Sequence, residues 1–281
     1  MNFSHYLKDG LPSTLFEKII AHNFLISDII VLIVSIVLMI VLTRKKKWRW
    51  HAFWYVCVPS AASGLLLGAV IYKIDPEFPG WVVPPWSSSG WIGFWCVEDI
   101  LFYIFLTIFF YGVYRLTEGD TETTDFKWAQ GLKITFFIFM WTASLLMLSF
   151  GGICGKLETL MYAVPSMVLM IYAWHKINCR HMLLFIGTMV FFEILWDCFA
   201  VSWIYHYKSW APGWIYITWD QNGIAHFSSV FLDPAKHRWA WIFNNPVDIT
   251  PWYGITGASF IYMAINSVDI FLVRRKYAVQ S

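Results

Sequence analysis

Long apolar runs alternate with short polar segments along the whole chain. Seven of these runs come close to or exceed the roughly 20 residues that a helix needs to cross the hydrocarbon core of a bilayer. The fifth run is the shortest and contains Pro165. The pattern predicts an all-α, polytopic membrane protein of about seven transmembrane helices. The predicted spans lie at about 24–43, 53–74, 94–116, 131–150, 157–174, 181–204 and 250–272.

The composition supports the same class of protein. Hydrophobic residues occupy 58% of the 281 positions, and charged residues only 14%, as expected for a chain that crosses a bilayer several times. Seven spans and their loops use up this length, so we predict a single membrane domain over 1–281. The net charge of +2 does not indicate a nucleic-acid partner. Membrane lipids are the expected surroundings.

The basic residues predict the orientation of the spans. Of the 20 Lys and Arg residues, 13 fall on one side of the predicted helices and 7 on the other. The richer side includes the cluster 44–49 and Arg115. Because cytoplasmic loops carry the excess of Lys and Arg, we predict an N-terminus outside and a C-terminus in the cytoplasm. The membrane would be the plasma membrane of a prokaryote or an endomembrane of a eukaryote.

The alternation of the spans also predicts an internal repeat. Helices 1 to 3 and helices 5 to 7 would run in the same directions, as two parallel three-helix halves joined by helix 4. Glu98 and Tyr103 in the first half match Asp248 and Tyr253 in the second half in their spacing. The predicted divisions are an interfacial segment (1–23, with a short helix at 11–21), a first half (24–116), a connecting region with helix 4 (117–156) and a second half (157–281).

The loop 205–249 before the last span is long and rich in tryptophan. Tryptophan concentrates at the headgroup depth of membranes. We predict that this outer loop lies on the interface or dips into it as a lid, with parts in strand or re-entrant helix. An interfacial belt with no further role is the alternative. The tryptophans are Trp210, Trp214, Trp219, Trp239 and Trp241.

A few acids fall inside the apolar runs, where a charge costs about 2.5 to 3.5 kcal/mol on insertion scales. In the predicted orientation most of them lie in the outer half of the membrane, and Glu193 lies nearer the middle. Glu193 and Asp197 are four residues apart, hence on one helix face. Together these acids predict a carboxylate-lined cavity open toward the outside. They are Asp28, Glu98, Asp99, Glu193, Asp197 and Asp248.

Several of these acids also have a purely structural interpretation. Asp28 and Asp248 fit helix N-caps or interface residues. Glu193 and Asp197 fit packing partners of Trp or Tyr donors. Asp269, near the predicted inner surface, fits a solvated end charge.

Glu98 and Asp99 are the acids that a structural role explains least. Two adjacent carboxylates in a low dielectric favour the protonation of one of them, and a neutral carboxylic acid is a proton donor. Their stretch, Val97-Glu98-Asp99-Ile100-Leu101-Phe102-Tyr103, resembles the Pro-Leu-Glu-Glu-Phe-Leu-Phe-Phe signature of the integral-membrane carotenoid lycopene cyclases of bacteria, archaea and fungi.

Two further stretches carry the same resemblance. Leu195-Trp196-Asp197 is similar to the Trp-Asp of that family's later half, and Pro246-Val247-Asp248 is similar to its second, degenerate acidic signature. The resemblance covers about 24–272, extends to related membrane terpene cyclases, and implies two related multi-span halves.

The chain departs from the family pattern at several points. Cys96 stands where the first signature has proline, Asp99 where it has a second glutamate, and Ile249 where the second copy has another acid. The segment 205–245 is an expansion. These departures affect the expected substrate more than the reaction, and a shorter prenyl chain, as in meroterpenoid pathways, would be handled by the same chemistry.

The resemblance implies a proton-initiated, redox-neutral ring closure that uses no cofactor and no metal. A proton adds to an isoprenoid double bond, the carbocation closes a ring, and a proton is lost. This chemistry needs a desolvated acid, aromatic faces around the cation, and a base. We expect Glu98 to be the general acid and an apolar isoprenoid to enter from the lipid. The other expected catalytic residues are Asp99, Glu193, Asp197 and Asp248, and the expected substrate-binding residues are Asp28, Trp95, Phe102, Tyr103, Trp196, Trp203 and Trp252.

Other classes of membrane enzyme fit the sequence less well. A retinal Schiff base needs a lysine in the last helix, and 250–272 contains none. The eight histidines are dispersed instead of clustered for iron, and the five cysteines lack paired spacing. An Asp-rich motif for diphosphate is suggested only faintly by Asn266 and Asp269. The stretch 151–155 lacks the spacing of a dinucleotide-binding glycine loop.

A non-enzymatic protein is the main alternative. A proton-coupled transporter or a lipid-binding heptahelical protein also carries acids within its spans. A proton relay should connect both membrane faces, and Asp269 is the sole acid that would extend a path inward. The oligomeric state and the identity of the substrate are left open by the sequence.

Overall fold

The computed structural model describes most of the helical part of the chain and short pieces of its loops. Helices account for most of the described residues, in agreement with the predicted all-α class. The described residues are 10–73, 80–82, 88–92, 95–118, 125, 127–150, 153–197, 215–219, 225–226, 241–242, 245–246 and 250–280.

The helices follow the apolar runs closely. Two π-helical segments, Phe53–Cys57 and Thr159–Ala163, join α3 to α4 and α7 to α8, so the chain is helical without a break over 50–73 and 153–173. The α-helices in the described part are α1 (Leu15–Ala21), α2 (Asn23–Arg44), α3 (Trp50–Ala52), α4 (Val58–Lys73), α5 (Val97–Thr117), α6 (Ala129–Phe150), α7 (Ile153–Glu158), α8 (Val164–Ala173), α9 (Cys179–Asp197) and α10 (Thr250–Gln280).

Among the described residues, five helices are long and apolar enough to cross a membrane: α2, α5, α6, α9 and α10. In α2 only 22% of the most apolar window is buried, and Ile29, Ile33 and Val37 are exposed. A continuous apolar face of this kind is suited to lipid, because in water it would promote aggregation. These five helices indicate a membrane protein, as the sequence predicts.

The other two predicted spans, 53–74 and 157–174, coincide with the two helices that contain π-helical segments. Val58-Pro59-Ser60 follows the first segment and Val164-Pro165-Ser166 follows the second. Proline has no N–H to donate within a helix, so Pro59 and Pro165 each leave the preceding turn short of a hydrogen bond. A π-helical turn is a recognised way to absorb such an interruption.

The serine after each proline bonds to the helix in the same way. The Ser60 hydroxyl donates to the carbonyl of Val56 at 2.7 Å, and the Ser166 hydroxyl donates to that of Tyr162 at 2.7 Å. The spacing is also shared: 106 residues separate the starts of α2 and α6, and 106 separate the starts of the two π-helical segments. The stretch from the start of α2 to Ser60 is therefore repeated, in spacing and local structure, by the stretch from the start of α6 to Ser166. This repeat pairs the first and second spans with the fourth and fifth, whereas the sequence predicts that helices 5 to 7 repeat helices 1 to 3.

Two helices form the centre of the bundle. α5 packs against α2 and α4, whereas α10 packs against α8 and α9. The share of the most apolar window that is buried is 61% in α5 and 56% in α10, against 22% in α6. Side chains of α5 and α10 therefore form much of the interior of the bundle.

Short strands connect the loops at one end of the bundle. β1 pairs antiparallel with β4, and β4 with β5, which joins the loop before α5 to the loop before α10. The predicted lid 205–249 thus contains strand structure. The strands are β1 (Gly80–Val82), β2 (Trp91–Ile92), β3 (Trp95–Cys96), β4 (Ile215–Trp219), β5 (Ala225–His226), β6 (Trp241–Ile242) and β7 (Asn245–Pro246).

Candidate functional site

Three acidic side chains are buried together where α2 packs on α5. Asp28 lies in α2, and Glu98 and Asp99 lie in the first turn of α5; their exposed fractions are 1%, 0% and 4%. Asp28 is close enough to both other carboxyl groups to interact with them electrostatically, with Asp99 the stronger partner. We refer to Asp28, Glu98 and Asp99 as the carboxyl cluster.

A small hairpin holds Glu98 in place. β2 and β3 pair antiparallel just before α5, and the Val97 N–H donates to the carbonyl of Gly90 at 3.0 Å. Gly90 has a φ of +151°, a region that favours glycine. This fold of the chain brings the Ser89 N–H to Glu98 Oε1 at 2.6 Å.

The start of α5 has an unusual cap. Cys96 is the N-cap residue, and its Sγ accepts a hydrogen bond from the Asp99 N–H at 3.4 Å. A thiol is a weak acceptor, so this cap is poorer than the usual Ser, Thr, Asp or Asn. The helix N-terminus is therefore left with N–H groups whose partial positive charge lies at the first turn, where Glu98 and Asp99 are placed.

Asp28 lacks the support that Glu98 receives. The alternative that Asp28 is an N-cap is wrong, because α2 begins at Asn23 and has His22 at its N-cap. Within the described residues, neither oxygen of Asp28 has a hydrogen-bond partner, and the same holds for Oε2 of Glu98. A buried carboxyl group without donors, next to two other carboxyl groups, is far less costly as the neutral acid.

Aromatic rings pack together about one helical turn from the carboxyl cluster, since Phe24 precedes Asp28 by four residues and Phe102 follows Glu98 by four. The ring centroids of Phe102 and Trp196 are 4.7 Å apart, those of Phe24 and Trp196 5.3 Å, and those of Phe24 and Phe102 6.3 Å. The structure thus brings together two expected substrate-binding residues, Phe102 and Trp196. Phe24 was missed, although it precedes Asp28 by four residues and so shares its helix face.

Tyr103 faces a different side of α5. Its ring packs directly on the backbone of Gly64 in α4. It lines a cavity of about 30 Å³ with Ser60 of α4, Tyr162 of the second π-helical segment, and residues of α5 and α10. Asp99, Tyr103 and Thr107 are four residues apart, so they share one face of α5. The cavity therefore lies along the face that starts at Asp99.

Glu193 is buried between α9 and α10, with an exposed fraction of 2%. A Cβ at Gly254 would lie 3.3 Å from the Cβ of Glu193, so α10 approaches α9 closely at this acid. Glu193 is thus a buried acid of a neighbouring helix pair, and it precedes Trp196 by one turn.

Trp252 lies in another part of the core. It packs with Met140, Met147 and Met167, and its Nε1 donates to Thr159 Oγ1 at 3.2 Å. Glu158, which is not among the expected site residues, is adjacent to that threonine and has an exposed fraction of 1%. Its position inside the fifth apolar run was the signal that would have identified it.

The side chains of the remaining expected site residues lie outside the part of the chain that the structure describes. Asp197 ends α9 and Trp95 begins β3, but the side chains of both lie outside what the structure describes. Trp203 and Asp248 lie outside the described residues altogether, so their predicted roles stay predictions.

A second buried polar cluster lies toward the other end of α5. Arg115, counted above among the cytoplasmic basic residues, is fully buried; its Nε donates to the hydroxyl of Tyr111 at 3.0 Å and its Nη1 contacts Glu118 Oε2 at 2.8 Å. His181 Nε2 lies 3.2 Å from the carbonyl of Tyr114. We refer to these five residues as the arginine cluster.

Asp269 belongs to the same end of the molecule. Its Oδ2 lies 3.3 Å from Nη1 of Arg49, and the exposed fractions of the two side chains are 27% for Asp269 and 47% for Arg49. A partly exposed ion pair of this kind contributes little to stability. It agrees with the interpretation of Asp269 as an end charge.

Comparison of the chain with protein-family models, with curated proteins and with solved structures finds no match.

Proposed function

We propose that this chain is a membrane-integral isoprenoid cyclase, resembling the carotenoid lycopene cyclases, which closes rings through a carbocation without net redox change. The observation that carries the proposal is the buried carboxyl cluster, about one helical turn from the packed rings of Phe24, Phe102 and Trp196. A desolvated acid supplies the proton, and each ring face stabilises a cation by about 2 kcal/mol where water is absent.

The hydrogen bonds of the cluster suggest a division of roles. The sequence assigns the proton donor to Glu98, yet Oε1 of Glu98 already accepts a hydrogen bond from the Ser89 N–H. Asp28 accepts no such bond from the described residues. We therefore assign the transferable proton to Asp28, and Glu98 is its neighbour in the carboxyl cluster.

The proton balance of the reaction is closed within the cluster. The proton of Asp28 adds to a double bond of the substrate, a second double bond attacks the carbocation to form the ring, and a neighbouring C–H loses its proton to a carboxylate. Asp99 is the acceptor in this scheme, because it begins the α5 face that lines the cavity. Product and substrate have the same mass.

The proposal includes the finer topology that the sequence predicts. Seven spans, with the two interrupted helices as the second and fifth, put the carboxyl cluster in the outer half of the membrane. The substrate enters sideways from lipid, past the exposed apolar face of α2. The N-terminus is outside, the C-terminus is cytoplasmic, and Glu193, Asp197 and Asp248 are further acids or bases at the same end.

Expression in cells that make lycopene, or separately prenylated aromatic precursors, tests the proposal. Mass spectrometry should find an isomer of unchanged mass and altered retention with the wild-type chain. Asp28→Asn and Glu98→Gln should each lower its amount by at least about 100-fold, the usual contribution of a general acid or base.

Asp269→Asn is the matched control, because Asp269 pairs with Arg49 at the end of the bundle opposite the carboxyl cluster. This variant should make the isomer at the wild-type level. Absence of an isomer from both feeds, or full product from both cluster variants, would refute the cyclase proposal.

A second candidate function is proton-coupled transport. The observation that favours it is the repeat: α2 and α6 are each followed, at the same spacing, by a helix that a proline interrupts. Many transporters are built from repeats of this kind. The arginine cluster adds titratable groups toward the other face. Loss of function in Asp269→Asn, together with proton flux in proteoliposomes, would favour transport.

A further inference from the structure

Five exposed cations lie where α2 ends and the chain turns toward α3. They are Arg44, Lys45, Lys46, Lys47 and Arg49. Arg49 has a partner, because its Nη1 lies 3.3 Å from Oδ2 of Asp269. Within the part of the chain that the structure describes, the other four have no ion-pair partner. We refer to the segment 44–47 as the basic turn.

The backbone holds the basic turn in a defined shape. The N–H groups of Lys47 and Trp48 both donate to the carbonyl of Leu42, at 2.9 and 3.2 Å. Trp48 is buried, and its ring centroid lies 4.7 Å from that of Tyr111 and 5.3 Å from that of Phe53. The four unpaired cations are therefore carried by a turn that is fixed by α2 on one side and by a buried indole on the other.

Lys46 occupies the position in this turn that glycine would suit best. Its φ is +55°, the left-handed conformation that follows many helices and that glycine adopts without strain. A residue with a side chain is strained there, and such strain persists where the residue serves a function. The side chain of Lys46 is exposed, so its charge is the property that the turn retains.

The end of α2 explains only part of this charge. The C-terminus of a helix carries about half an elementary negative charge, which favours nearby cations. The four unpaired cations of the basic turn carry roughly eight times as much positive charge. Consecutive Cα atoms are about 3.8 Å apart, so the four residues span at most about 11 Å. Anions from outside the chain are needed to balance charges held this close together.

We propose that the basic turn binds an anionic phospholipid whose headgroup carries two phosphates, in the leaflet at this end of the bundle. Arginine and lysine are the usual partners of phosphate, and a headgroup of this size reaches several residues of the turn. Ile40 and Val41, in the last turn of α2, are exposed and offer the acyl chains an apolar surface next to the charges. The site does not depend on the function proposed above.

Lipid binding by the purified full chain tests the site. The chain is titrated in detergent with zwitterionic phosphatidylcholine, with phosphatidylglycerol, which has one anionic phosphate, or with cardiolipin, which has two. Native mass spectrometry counts the bound lipids. We expect cardiolipin to bind about tenfold more tightly than phosphatidylglycerol, and phosphatidylcholine to bind least, because each further charge pair adds to the attraction.

Lys46→Gly separates the charge of Lys46 from its structural role. Glycine accepts the φ of +55° without strain, so the midpoint of thermal unfolding should be unchanged or higher. The affinity for cardiolipin should nevertheless fall about fivefold, the share of one cation near an anionic surface. A variant that keeps both its stability and its full affinity for cardiolipin would overturn the proposal.

Two triple variants with the same change in net charge complete the test. In one, the three lysines of the basic turn become glutamine, and the affinity for cardiolipin should fall by about 100-fold. In the other, three exposed cations near the starts of α6 and α9 become glutamine, and the affinity should fall less than about threefold. These control positions are Lys127, Lys176 and Arg180.

Equal losses in the two triple variants would show attraction to the whole basic end of the molecule instead of a site, and would overturn the proposal. Inorganic pyrophosphate, which has two phosphates and no acyl chain, distinguishes a lipid from a soluble anion. It should displace cardiolipin only at about a 100-fold excess. Displacement at equal concentration would assign the basic turn to a soluble phosphate compound. None of these measurements requires turnover, so their outcome is independent of the cyclase assay.

Discussion

Gly64 and Tyr103 set how closely α4 approaches α5. Because a Cβ at Gly64 would overlap the Tyr103 ring, Gly64→Ala must push the two helices apart or move the ring off its rotamer. Overpacking of this kind costs about 1 to 3 kcal/mol. We expect a lower midpoint of thermal unfolding in detergent, measured by loss of helical circular dichroism.

Gly131→Ala is the control for that measurement. It places the same methyl group on a helix with nothing within 4 Å, and alanine is the better helix former by about 1 kcal/mol. Its midpoint should be unchanged or higher. Equal behaviour of the two variants would show that the Tyr103 contact does not limit the packing of α4 on α5.

The sequence predicts the neighbours of those residues whose relative position follows from helix spacing. Glu98 with Phe102, and Trp196 one turn after Glu193, lie on shared faces that counting along a helix identifies. Which face turns inward, and toward which neighbour, depends on packing between helices. Asp28 could therefore be taken for a cap, and Trp252 could be grouped with rings from which it lies apart in the core.

Proline explains what the hydropathy pattern could not show in the second and fifth spans. Pro59 and Pro165 each remove one hydrogen bond, and each follows a π-helical segment of five residues. An apolar run reports that a helix is present, but not that its turns widen where a donor is missing. The cavity wall formed by Ser60 and Tyr162 depends on this local geometry, so it was not predictable from apolar periodicity.

The short helix α1 is stabilised by a capping box rather than by packing. Thr14 Oγ1 accepts from the Glu17 N–H at 3.2 Å, and the backbone N–H groups of Thr14 and Ser13 donate to Glu17 Oε2. These bonds, with that from Thr14 the largest, lower the pKa of Glu17 from 4.5 to about 2. A carboxyl group with a depressed pKa stabilises its helix above its ordinary pKa and loses that effect as the pH falls toward 2.

We therefore expect hydrogen-exchange protection of 15–21, corrected for the intrinsic rate, to be constant above pH 5 and to fall between pH 4.5 and pH 2. Thr14→Ala should lower the protection about fivefold at pH 7, in line with the loss of an N-cap. Protection that is independent of Thr14 and of pH would mean that contacts other than the box hold α1.

At the scale of the whole molecule, the two ends of the bundle differ in charge. The carboxyl cluster gathers acids at the end where α2 and α5 begin, and the arginine cluster buries a cation toward the other end of α5. The hydropathy pattern predicts helices but does not show which charges are buried. Arg115 lies at the end of an apolar run, so the pattern assigns its charge to a solvated loop. Acids gathered at one end of the bundle fit a pocket that opens toward one side of the membrane.

The direction of this asymmetry across the membrane can be measured with single cysteines. Cys57, Cys96 and Cys179 are buried, so a background with Cys154→Ser and Cys198→Ser should react little with a membrane-impermeant maleimide. Ser89 and Lys45 are exposed and flank opposite ends of the spans. If the excess of Lys and Arg is cytoplasmic, Ser89→Cys is labelled in intact cells and Lys45→Cys only after permeabilisation.

The Ser89 bond to Glu98 comes from the backbone, so this substitution preserves it. The reverse labelling would place the carboxyl cluster on the cytoplasmic side, and its substrate would then come from the inner leaflet.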